Sequence, residues 1–322
     1  MRRFAIGLFI GLLMLVYSLP ALAASNVVGN PNGHGPIRGI VKAKGQNQAA
    51  LPFAGSGKLT YHGGPVMHTN KTFAIYWVPS GFSVSTNYQS TINKFFQDVA
   101  ASSGSTSNVY YSTTQYYDNT KGNILHSSSF GGAYLDTNPF PSSGCTDSVS
   151  QTTICLSDAQ LQAEIDRVVA LKGWPRGATN MFFMFTAKNV GSCYDNANCA
   201  FSQFCAYHSD FGTGANLTIY ANQPYATTVS SGCDTGQRPN NDDADATINV
   251  TSHEHAEAIT DYNGDAWYDA SGYENGDKCA WTFGTALGGS TGHKYNQVLG
   301  TGHYYLQREW SNATNKCLLT GK

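Results

Sequence analysis

The sequence predicts an α/β (α+β) fold: a three-layer sandwich with a mixed sheet, one helix that carries ligand-type side chains, and disulfide staples. Three observations predict it. Amphipathic helical segments alternate with short apolar strands, the order that layers helices over a sheet. Residues 181–185 read Met-Phe-Phe-Met-Phe, apolar on both faces as a central strand must be. Eight cysteines, an even number, follow an export-type N-terminus, so oxidised pairs are expected.

The elements follow in chain order. Residues 1–23 read as a signal peptide: a basic Met1-Arg2-Arg3 start, an apolar run to Val16, and the small-residue pattern Leu19-Pro20-Ala21-Leu22-Ala23 before a mature start near Ala24. The apolar run is short for a membrane span. Residues 24–58 are rich in Gly, Asn, Pro and Ala without periodicity and are expected to be flexible. A single domain is expected over 59–322. Residues 73–78 are β-branched and aromatic, hence a buried strand. Ile92, Phe95, Phe96 and Val99 give residues 88–101 a helical stripe.

Residues 109–117, aromatic and polar, are expected as a strand, with loops from there to Cys155. Ser157 caps a second helix over 158–172, whose stripe is Leu161, Ile165, Val168 and Val169. The central strand follows, then a cysteine loop at 193–205 and a strand near 216–220. Asp242, Asp243 and Asp245 open a last helix, about 244–260, where carboxylates suit the helix dipole.

Composition excludes some partners. Charged residues make up 12% and the formal net charge is −2, which argues against nucleic acid or an anionic membrane as partner. Tyr, Ser, Thr, Asn and Gly are abundant, as in extracellular and wall-facing proteins. Asn70, Asn216, Asn249 and Asn312 head glycosylation sequons. By local spacing Cys145–Cys155 is the first expected disulfide and Cys279–Cys317 the second. A zinc knot at Cys193, Cys199 and Cys205 is the weaker alternative, because its spacings are loose and exported thiols oxidise.

The last helix carries the chemistry. The chain has five glutamates, and three of them fall between residues 254 and 274. His253 and Glu257, four apart, project from one face, with Glu254 rotated by about 100° beside them. This resembles the H-E-x-x-H helix of zincin hydrolases, with Glu in the second ligand position, and so extends the fold expectation to a zincin-like three-layer sandwich. In that reading His253 and Glu257 hold a metal and Glu254 is the catalytic base. Glu274 or Asp277 supplies the third ligand. Zinc is the expected ion. Calcium is the alternative, because Glu257 favours harder cations. His255 projects to another face. His208 is a further ligand or a structural residue. His62 reads as a turn histidine, and Trp267, Tyr268 and Trp281 as aromatic packing beneath the helix.

Three segments resemble the phosphate-induced protein 1, or exordium-like, family of plants. They are Tyr61-His62-Gly63-Gly64-Pro65-Val66-Met67; the run from His253-Glu254-x-x-Glu257 through Ala266-Trp267-Tyr268 to Glu274-x-x-Asp277-x-Cys279; and Tyr305-Leu306-Gln307-x-x-Trp310 to Cys317. The resemblance implies a secreted, extracellular or cell-wall protein of a family associated with growth and cell expansion. Two functions are therefore expected. One is a secreted metallohydrolase, a peptidase acting on an extracellular protein or cell-wall component as a monomer. The other is a non-catalytic binding or signalling protein with a structural or vestigial metal site.

Overall fold

The computed structural model describes residues 28–29, 36–37, 39–45, 57–147, 150 and 152–322. The signal peptide expected at 1–23 lies outside the described residues, as does most of 24–58.

Six strands form the main sheet: β1 (Ile40–Lys42), β2 (Asn70–Trp77), β3 (Ser128–Asp136), β4 (Asn180–Thr186), β5 (Phe204–Phe211) and β6 (Thr218–Gln223). Their spatial order is β1-β5-β6-β4-β2-β3. β6, β4, β2 and β3 run parallel, while β5 is antiparallel to both β6 and β1. The sheet is mixed, as expected. β4 has a parallel partner on each side, and all its residues are buried. Its side chains alternate: Phe182 and Met184 enter one apolar cluster, Met181, Phe183 and Phe185 the other.

Helices cover both faces. α1 (Tyr88–Ala101) and α3 (Ala244–Asp261) pack on the Phe183 side, and α2 (Asp158–Lys172) on the Phe182 side. α2 opens with a reciprocal capping box between Ser157 and Gln160 and ends at Gly173, whose φ of 61° suits the left-handed terminator. All 18 residues of α3 are buried, its His and Glu included. A closing hairpin, β7 (Glu309–Ser311) and β8 (Lys316–Leu318), lies beside α3 and is tied to the loop beyond it by Trp310 N–H donating to Asn275 O at 2.9 Å.

Four expectations need correction. Residues 109–117 are not a strand: Val109–Gln115 is a 3₁₀ helix. Asn108 accepts from Tyr110 N–H, and the hydroxyls of Ser112, Thr113 and Thr114 each donate to the carbonyl three residues back. Such local bonds compete with sheet pairing. The loops expected before Cys155 contain β3. Its glycines conceal it, and Gly131 is required because a Cβ there would lie 2.2 Å from the Phe73 ring. β5 emerges from what read as the end of a cysteine loop. Within the segment expected to be flexible, residues 39–45 are ordered: β1 pairs with β5, and Val41 and Ala43 are buried in the core.

The cysteines form four disulfides: Cys145–Cys155, Cys193–Cys199, Cys205–Cys233 and Cys279–Cys317. The first and last are the two expected pairs. The others place Cys193 and Cys205 in separate bonds, which removes the zinc-knot alternative. Four disulfides fit an oxidising, extracellular environment. Among the described residues no helix is long and apolar enough to cross a membrane.

Candidate metal centre

Helical spacing sets the first contact. His253 and Glu257 sit one turn apart on α3, with His253 Nε2 3.0 Å from Glu257 Oε1. The loop after α3 returns along the helix and brings Asp277 Oδ1 to 3.7 Å from His253 Nε2. Its approach depends on Gly276, where a Cβ would lie 2.9 Å from Glu257 Oε1 and 3.0 Å from His253 Cγ. The Asp277 backbone N–H donates to Glu257 Oε1 at 2.7 Å. From the other side the Gln307 amide donates to Gly276 O at 3.0 Å and lies 2.7 Å from His253 Nδ1. A ring held at Nδ1 presents Nε2 to Glu257 and Asp277.

β5 supplies the opposite wall through His208. Its Nδ1 donates to Glu254 Oε2 at 3.0 Å and lies 4.0 Å from Glu257 Oε2. Its Nε2 is 3.2 Å from Asp261 O and 3.9 Å from Glu274 Oε2. β1 closes the pocket above: Val41 N–H donates to Glu254 Oε1 at 3.3 Å. A Cβ on Gly39 would lie 1.9 Å from His208 Cε1. Trp281 Nε1 clamps this cover by donating to Lys42 O at 2.9 Å.

All five residues singled out on α3 and its downstream loop therefore meet in one pocket. They form two groups at metal-ligand spacing, His253/Glu257/Asp277 and His208/Glu257/Glu274, with Glu257 common to both. These buried His, Glu and Asp groups could hold a metal ion. His255 does point elsewhere: its Nε2 is 2.9 Å from Asn70 Oδ1, its ring packs against Phe96 and Phe183, and burial lowers its pKa to about 3. His62 is exposed, stacked on Tyr268 and bonded to Thr60. Trp267 packs among Tyr61, Tyr116 and Tyr117.

Sequence reasoning placed His208 second and overlooked Gln307, Gly39 and Glu309. Glu309 on β7 is fully buried and close enough for His253, Glu257 and Asp277 to influence its charge. Its rarity was the available signal: four of the five glutamates in the chain belong to this region.

The electrostatics are extreme. His253, Glu254, Glu257 and Glu274 are 0% exposed, His208 3% and Asp277 8%. Glu257 Oε2 and both carboxylate oxygens of Glu274 and of Glu309 have no hydrogen-bond partner among the described residues. Burial, reinforced by Glu257, pushes the Glu274 and Asp277 carboxyls well above the usual range. Burial also raises Glu254, against the opposing pull of His208. Burial opposes charge on His253, yet Glu257, Glu254 and Asp277 outweigh it and raise that pKa. Unpaired buried anions are costly, so protons or a bound cation must compensate them. Compared with models of protein families, with curated proteins and with solved structures, the chain matches none.

Proposed function

We propose that the protein is a secreted, zincin-like metal-dependent hydrolase of the peptidase type, acting on an extracellular protein or a cell-wall component. One observation carries the reading. Beside the His253/Glu257/Asp277 group stands Glu254, a carboxylate outside that group, anchored by His208 and adjacent to His253 on α3. His253, Glu257 and Asp277 would hold the cation; an imidazole among carboxylates suits zinc better than calcium. When bound, the cation supplies a Lewis acid that activates water and polarises a carbonyl. Glu254 would take the proton from that water, and its burial-raised pKa gives it more proton affinity than an exposed carboxylate has. Glu254→Gln should retain metal and fold while hydrolysis of a peptide-library panel falls about 10²–10⁴-fold. Hydrolysis at the wild-type rate in that variant removes the proposal.

The closure of the pocket favours a second reading, a non-catalytic extracellular binding or signalling protein with a structural cation. Gly39 and Val41 lie directly over the acidic groups, and none of the six pocket residues exceeds 8% exposure. Calcium would then raise the melting temperature and zinc would not. Membership of the exordium-like family, proposed on the segments given above, is compatible with both readings.

A further inference from the structure

The two oxygens of Glu257 face two different imidazoles. Oε1 is 3.0 Å from His253 Nε2, while Oε2 has no hydrogen-bond partner, and Glu257 also offers a ligand atom within 4.8 Å of those of His208 and Glu274. We propose that the pocket takes two divalent first-row transition cations bridged by Glu257, one against His253 and Asp277, the other against His208 and Glu274. This rests on the metal-centre reading above and deepens it.

Glu274 is the independent observation. It is fully buried, neither of its oxygens has a partner among the described residues, and Oε2 lies 3.9 Å from His208 Nε2. One cation held by His253, Glu257 and Asp277 leaves this carboxylate uncompensated; a second cation satisfies it together with Glu257 Oε2. Charge points the same way. Glu254, Glu257, Glu274, Asp277 and the neighbouring Glu309 carry five negative charges when all are ionised. One divalent ion leaves three of them buried and unbalanced, two ions only one. A carboxylate bridging through both oxygens holds two ions about 3.5–4 Å apart, the spacing of two-metal sites.

Donor chemistry selects the ions. An imidazole in each half selects transition metals over calcium and magnesium, which take oxygen ligands. His208 is prepared for its role. Its Nδ1–H donates to Glu254 Oε2, which sets the ring and leaves Nε2 to ligate in exchange for its 3.2 Å contact with Asp261 O.

The test counts ions on the intact mature chain, stripped with chelator, reloaded with Zn²⁺, desalted and analysed for metal. Two zinc ions per chain are expected, and Mn²⁺ loading should give an exchange-coupled electron paramagnetic resonance spectrum. Glu274→Gln and His208→Gln should each bind one ion with an unchanged circular dichroism spectrum. Glu274→Gln keeps the side-chain volume, so it carries the test if His208→Gln fails to fold. One ion in the wild type overturns the paired site and leaves the mononuclear hydrolase standing; none overturns both. Two ions retained in folded Glu274→Gln, or binding of Ca²⁺ but not Zn²⁺, also overturns the proposal.

Discussion

Gly39 leaves no room for a side chain above the pocket. A Cβ there would lie 1.9 Å from His208 Cε1 and 2.8 Å from Glu257 Oε2, so Gly39→Ala must displace the ring or lift β1. Overpacking of this kind costs about 1–3 kcal/mol. Urea unfolding should show that loss, and metal analysis a lower content; wild-type values for both would mean that β1 yields freely. Asp245, in the first turn of α3, gives a pH test. An ionised carboxylate suits that position, yet burial raises its pKa to about 6 despite two hydrogen bonds from Asn240. In the unfolded chain it ionises near pH ~4. Between those values the folded chain holds a proton that the unfolded chain releases, so this group's contribution falls as pH rises from about 4 to 6 and stays low above. Asp245→Asn lacks that penalty. Its stability relative to wild type should improve between pH ~4 and ~7, by at most about 3 kcal/mol. A difference independent of pH would refute the assignment.

At the scale of elements, α2 is the most self-sufficient. Its Ser157–Gln160 box and its Gly173 terminator are local, so the sequence specifies both ends. Ser157→Ala should cost about 1 kcal/mol by denaturant unfolding and leave metal content unchanged. α1 and β4 were legible for the same reason, since helical stripes and apolar runs lie within one segment. β1, β3 and β5 were not. β1 is three residues long, β3 is interrupted by glycines, and β5 owes its burial to pairing with β6 and β1 rather than to any alternation of its own. β5 is also the element that delivers His208.

Across the whole molecule the Cys279–Cys317 bond links the acidic loop to the closing hairpin. It spans a sequence separation of 38, for which unfolded-state entropy predicts about 3–4 kcal/mol. Replacing both cysteines by serine should remove that stability. Metal retention should weaken with it, because Asp277 occupies the same short turn as Cys279. A stability loss with metal affinity unchanged would show that Gly276 and Gln307 hold the loop unaided. Chelation should lower the melting temperature of the wild-type chain, and readdition of the ion should restore it, since a ligand bound only to the folded state stabilises by mass action.

The sequence by itself determined a mixed α/β arrangement, three helices and the N-cap of one of them, Ser157, two disulfide pairs and the clustering of acidic residues around His253 on the last helix. All of these depend on spacing within one segment or on residue rarity. Only the tertiary structure decided what surrounds that helix. His208 meets Glu254 across 46 residues and Gln307 meets His253 across 54, through sheet order and the course of the closing segment, and neither leaves a local trace in the chain. The glycine cover from β1 has the same origin. Close approach is visible as a requirement only once the two backbones are seen side by side, because in the sequence Gly39 reads like any glycine of a flexible stretch.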